Sequence, residues 1–198
     1  QRRVTFRIWP PQCCVPAFVH AALVQLGEGC PYPETIPGIL GVRVRPDQEN
    51  PLELALADAS HPPGIRGADA EREFNRMCRE IGSGLRLRRV PFNTIVEQLW
   101  IDVLDDAMSR GAVVGLGVDY HVLMTRGTRD RSAHHVLRVL GREDQLFTLF
   151  DDSGESDPAT ILVDTERLDA AVLPIYDGLW IVNSVTELNF AYTLPWGE

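Results

Sequence analysis

Residues 134–152 read HHVLRVLGREDQLFTLFDD. Two short apolar runs, Val136 to Leu140 and Leu146 to Phe150, flank a polar centre, and runs of this length bounded by turn residues read as strands. A turn over Gly141 to Asp144 joins them as a hairpin. That pairing sets residues near 135 beside residues near 151, so an imidazole and a carboxylate become hydrogen-bonding neighbours across two strands. Strand parity separates the two histidines. His135, Leu137 and Val139 share one face, whereas His134 shares the other with Val136 and Arg138, and the arginine marks that second face as the wetter one. His135 is therefore the expected base. Asp151 and Asp152 are both candidate partners, because a strand that breaks before the turn exchanges their directions.

An imidazole held by a carboxylate becomes a catalytic unit when a nucleophile joins it. Residues 10–18, PPQCCVPAF, supply the nucleophile. From Cys14 to Gly27 the chain places Val15, Phe18, Val19, Ala22, Leu23 and Leu26 at helical spacing, with Pro16 suited to the first turn and Gly27 and Gly29 to the end. Cys14 thus stands at a helix N-terminus, where the macrodipole favours a thiolate.

The remaining elements follow from the same two periods. DAEREFNRMCREIG, residues 69–82, aligns Phe74, Met77, Cys78 and Ile81 on one helical face, and Cys78 reads as a core filler. LRLRRVPF, residues 85–92, alternates as a strand; Asn93 then caps an amphipathic helix through Ile95, Val96, Leu99, Trp100, Val103, Leu104 and Ala107, ended by Gly111. Further strands are expected in VTFRIW (4–9), AVVGLGVD (112–119), ATILV (159–163) and LWIV (179–182). Residues 30–67 are rich in Pro and Gly, with only GVRVR (41–45) and ENPLELALADAS (49–60) as candidate elements. Strands and helices do not alternate regularly, so the expected class is α+β rather than doubly wound.

With 198 residues, 44% of them hydrophobic, the chain suits one domain over 1–198. Its 19 basic residues include no Lys, which excludes Schiff-base chemistry, pyridoxal phosphate attachment and a Walker-type phosphate loop. A net charge of −9 argues against a nucleic-acid partner. Cys13, Cys14, Cys30 and Cys78 form neither a disulfide framework nor paired zinc knuckles, which fits a reducing, cytoplasmic location. No apolar run reaches about 18 residues, so no membrane partner is expected. The preference for Arg over Lys, with abundant Ala, Val, Asp and Pro, matches a GC-rich bacterial genome.

Order and spacing now carry a resemblance. A helix-opening Cys, then a His at the head of an apolar strand 121 residues later, resembles the papain-like cysteine peptidases, in which that separation is roughly 130 residues. HHVLRVLG is similar to the family's His-led strand ending in Gly. The family's orienting Asn or Asp follows the His by about sixteen residues, a slot that Asp151 fits. Within the superfamily, Cys14-Val15-Pro16-Ala17 resembles the Cys-Gly-Pro-Ala run of the bacteriocin leader peptidases that cut after double glycine, and this selects Cys14 over Cys13. The departures are Val15 for Gly, Asp-Asp for Asp-Pro, and RIWPP where those families place an oxyanion-donating Gln. Gln12, or the backbone N–H of Cys14, is the candidate replacement.

The resemblance implies a papain-like fold, an N-terminal helical half whose nucleophile helix packs on a C-terminal antiparallel sheet. It also implies an enzyme that forms a thioester at Cys14, with His135 moving protons and Asp151 orienting the ring. Its substrate would be a peptide, an amide or an acyl thioester, free or on a carrier protein. The enzyme would then be a peptidase or amidase, or an acyltransferase or cyclase of bacterial secondary metabolism, and it would need no cofactor. His121, His134 and Asp152 are the further candidates for the cleft wall. Two other readings stay open: a non-catalytic binding module on the same fold, and a metal site built from Cys, His and Asp, which are competent zinc ligands although adjacent ones chelate one ion poorly.

Overall fold

The computed structural model describes residues 14–27, 67–80, 82–92, 99–125, 134–152, 159–172 and 178–191. In chain order these form α1 (Cys14–Gln25), α2 (Gly67–Glu80), β1 (Leu85–Pro91), α3 (Leu99–Ser109), β2 (Val113–Asp119), α4 (Tyr120–Thr125), β3 (His134–Glu143), β4 (Leu146–Phe150), β5 (Thr160–Asp164), α5 (Thr165–Val172), β6 (Gly178–Ser184) and α6 (Val185–Ala191). The expected pieces VTFRIW, GVRVR and ENPLELALADAS and the Asn93 cap lie outside the described residues.

The strands make one sheet in the order β1-β6-β2-β3-β4-β5, with every neighbouring pair antiparallel. The class is α+β. The sheet is not confined to the C-terminal half, because β1 forms its first edge, and four of the six described helices follow β1 in the chain.

Alternation along the strands creates two apolar faces, and helices cover both. On one face Phe18, Val19, Ala22 and Leu23 of α1 and Phe74 and Cys78 of α2 pack with Leu87, Val113, Val136, Trp180 and Val182. On the other, Trp100 and Leu104 of α3 and Leu168 and Val172 of α5 pack with Leu116, Leu137, Phe147, Leu149 and Ile181. Each fully enclosed side chain the size of Phe18 or Leu23 contributes about 1.5–3 kcal/mol. The face of β3 expected to be wetter is the less buried of the two, since His135, Leu137 and Val139 are all buried on the other. Val136 is 2% exposed, while Arg138 is part-buried and pairs with Asp152 and with the exposed Gln25, as described below.

The edge at β1 is closed by side chains of α2. Asn75 exchanges two hydrogen bonds with the backbone of Leu87, at 2.8 and 3.0 Å, and Glu71 accepts from the N–H of Arg89 at 2.8 Å. These groups occupy ladder positions that an exposed edge would offer to another chain.

The β3–β4 turn lies at Asp144 and Gln145, two residues beyond the expected centre, and Glu143 pairs with Leu146. Gly141 is inside β3, opposite Thr148, next to a register shift between Val139 and Gly141. The turn takes the residue that tolerates a left-handed backbone: Asp144 has φ 52°. Among the described residues no helix is long and apolar enough to cross a membrane.

Candidate active site

Cys14 is the first residue of α1 and is 9% exposed. Apolar residues at helical spacing press the helix onto the sheet, and Gly27, with φ 71°, follows its end. His135 is the second residue of β3. Asp151 follows the last residue of β4, and its N–H is held by the carbonyl of Ala159 at 2.9 Å.

His135 and Asp151 are 2% and 1% exposed, and Nε2 of the imidazole lies 3.1 Å from Oδ1 of the carboxylate. The register explains the meeting. Arg138 pairs with Phe150, which carries Leu137 to the level of Asp151, so His135 reaches the carboxylate as the diagonal neighbour on the same face. The thiol of Cys14 is a second hydrogen-bond partner of the ring. With Nε2 turned to Asp151, Nδ1 is the nitrogen left for it. Strict alternation points His135 away from the face that α1 covers. The contact joins the first residue of the helix to the second of the strand.

Burial works against a charged imidazole here. The hydrogen bonds from Asp151 and Cys14, with the charges of both, outweigh it, and the His135 pKa is pushed up to about 10. The site therefore favours the charged form of the imidazole, beside the carboxylate and the sulfur.

Asp152 takes a different partner. Its carboxylate accepts two hydrogen bonds from Arg138, at 2.8 and 2.9 Å. Burial pushes the Asp152 carboxyl up, against the bonds and charge of Arg138, and the charge of Asp151 adds to the rise. His121 is exposed in α4, where its N–H donates to Oδ1 of Asp119 at 3.1 Å. The backbone of His134 pairs with Asp119 in β2. Its side chain, like Gln12, lies outside the described residues. Among the described residues no group of three His, Cys, Asp or Glu side chains is arranged to hold a metal ion.

Tyr120 is the contact that sequence reading missed. Its ring centroid lies 5.0 Å from that of His135, tilted by 56°. Asp119, 4% exposed, ends β2 and accepts from the N–H groups of His121 and Val122 at 3.1 and 3.2 Å, which starts α4 and sets Tyr120 on the imidazole. The signal was an Asp closing a strand pattern.

No family model matches the chain, and no match emerges among curated proteins.

Proposed function

We propose that this chain is a cysteine acyl-transfer enzyme with a papain-like triad of Cys14, His135 and Asp151. The observation that carries the reading is the buried imidazole bonded to a carboxylate on one side and to a helix-opening thiol on the other. Structural histidines pair with carboxylates often. Addition of a thiol at the first residue of a helix supplies a nucleophile as well as a base.

In the reaction the Cys14 thiolate attacks an acyl carbon and forms a carbon–sulfur bond. Charge on the acyl oxygen is met by backbone N–H groups of the first turn of α1, which by helix geometry have no intrahelical partner. The bond to the leaving group breaks, and the imidazolium gives its proton to the departing amine or thiolate. Water, or an acceptor amine, then loses a proton to His135 and attacks the thioester, which returns the Cys14 sulfur. Asp151 keeps the ring oriented throughout without taking the proton. Amides and peptides, or acyl thioesters free or on a carrier protein, are the substrates this cycle accepts.

Iodoacetamide labelling near pH 6.5, mapped by mass spectrometry, tests the reading. Cys14 is expected to label rapidly, well below the range near pH 8.5 where free thiols react. Cys14→Ala removes both labelling and acyl release from an activated ester, Cys13→Ser retains most of both, and fully buried Cys78 stays unlabelled in the folded chain. Equal loss from Cys13→Ser and Cys14→Ala would assign the pair to metal or redox chemistry. A Cys14 that labels only as fast as an ordinary thiol would make the fold a binding module.

A further inference from the structure

Arg138 joins the three elements that carry Cys14, His135 and Asp151. It stands on β3, three residues beyond His135. Its Nε and Nη2 donate to Oδ2 and Oδ1 of Asp152, the neighbour of Asp151, while its Nη1 donates to Oε1 of Gln25 at 2.9 Å. Gln25 is the last residue of the helix that Cys14 opens. The guanidinium carbon also lies 5.3 Å from the centre of the Phe150 ring. One planar group thus fixes three directions at once, which a flexible ammonium would not do.

The consequence is mechanical. α1 meets the β3–β4 hairpin at both ends, through Cys14 on His135 and through Gln25 on Arg138. A helix held at one end can slide or turn on its apolar bed, and a displacement of about 1 Å is enough to spoil a reacting pair. We propose that Arg138 is a positioning residue that sets the spacing between the Cys14 thiol and the His135 imidazole. It acts through Gln25 on the helix and through Asp152 on the strand end that bears the acid. The inference rests on the proposed triad for its catalytic meaning, but the contact it governs is read from the imidazole itself. Among the described residues that ring is faced by Cys14 from α1, Asp151 from the end of β4 and Tyr120 from α4.

The test is an NMR titration of His135 in the full chain and in Gln25→Ala and Arg138→Lys, with iodoacetamide labelling of Cys14 and thermal melting alongside. Gln25→Ala removes one acceptor at the surface and is expected to melt within about 3 °C of the parent. It should still lower the His135 midpoint by about half a pH unit and slow labelling roughly three- to tenfold. Arg138→Lys keeps the charge but loses the fork, and should do the same or more. An unchanged His135 titration in folded Gln25→Ala overturns the proposal, and that variant decides alone if Arg138→Lys does not fold. Slow labelling of the parent chain, with a titration that does respond to Gln25→Ala, would instead sink the acyl-transfer reading and leave this one standing.

Discussion

Phe18 of α1 lies over Gly115 of β2 so closely that a Cβ at position 115 would come within 2.8 Å of its ring. The ring is fully enclosed and has nowhere to withdraw. Gly115→Ala should therefore lift α1 from the sheet, at a cost of about 1–3 kcal/mol, and slow alkylation of Cys14 at the end of the same helix. Phe18→Leu in the Gly115→Ala background should recover part of both. Urea midpoints of the two single variants and the double variant check this, and strict additivity of the losses would mean that the two residues do not contend for one space.

The charge on His135 makes stability fall with rising pH. Its pKa is raised in the fold from an ordinary 6.5 to about 10. Below 6.5 folded and unfolded chains both hold the proton and the stabilisation is complete. Between 6.5 and about 10 only the fold retains the proton, so each step up in pH weakens it, and above that window the contribution is gone. Urea midpoints from pH 6 to 10.5 should show a gap between the parent chain and His135→Gln that narrows steadily. A gap that widens with pH would reverse the assignment of charge.

Asp151→Asn keeps an acceptor toward the imidazole but removes the negative charge, so the His135 midpoint should drop while the fold survives. Thiol reactivity should fall by about tenfold. Asp151→Ala leaves a buried imidazole without this partner and should cost on the order of 1–3 kcal/mol as well, with a larger loss of reactivity. Titration and labelling of both variants, with Asp152→Ala beside them, decide the roles. A crippled Asp152→Ala with a mild Asp151→Ala would move the orienting carboxylate one residue along.

Tyr120 presents an aromatic ring to an imidazole that holds a proton, a contact worth about 0.5–2 kcal/mol to the charged form. Tyr120→Leu should lower the His135 midpoint and loosen the ring, whereas Tyr120→Phe, which keeps the face, should stay close to the parent. Equal shifts in both variants would assign the effect to the hydroxyl instead.

Much of this arrangement was legible because it rests on short-range periodicity. The stripe from Phe18 to Leu23 announces α1, and the two short apolar runs on either side of the polar turn announce the hairpin that carries His135 toward Asp151. The turn was misplaced because Gly141 draws attention as a turn residue, while the left-handed position fell to Asp144. Three helices went unread because each is short and starts directly at a strand end. Asp119, Asp164 and Ser184 cap them, accepting from backbone N–H groups of α4, α5 and α6. Parity placed Arg138 on the less buried face of β3 but could not show what it meets there. An arginine on a strand reads as solvent, but Asp152 and Gln25, distant in the chain, give it partners that no local pattern reveals.

The position of β6 has a consequence for how the chain is made. This last strand of the described fold lies between β1 and β2, which do not pair with each other. Its Trp180 and Val182 belong to the apolar bed under α1. Residue 14 leaves the ribosome well before residue 184, yet the surface it docks on is incomplete until residues near 184 have followed it out. Pairings across so much sequence form late. A nascent chain stalled before β6 thus carries the cysteine but lacks part of the surface that aims it.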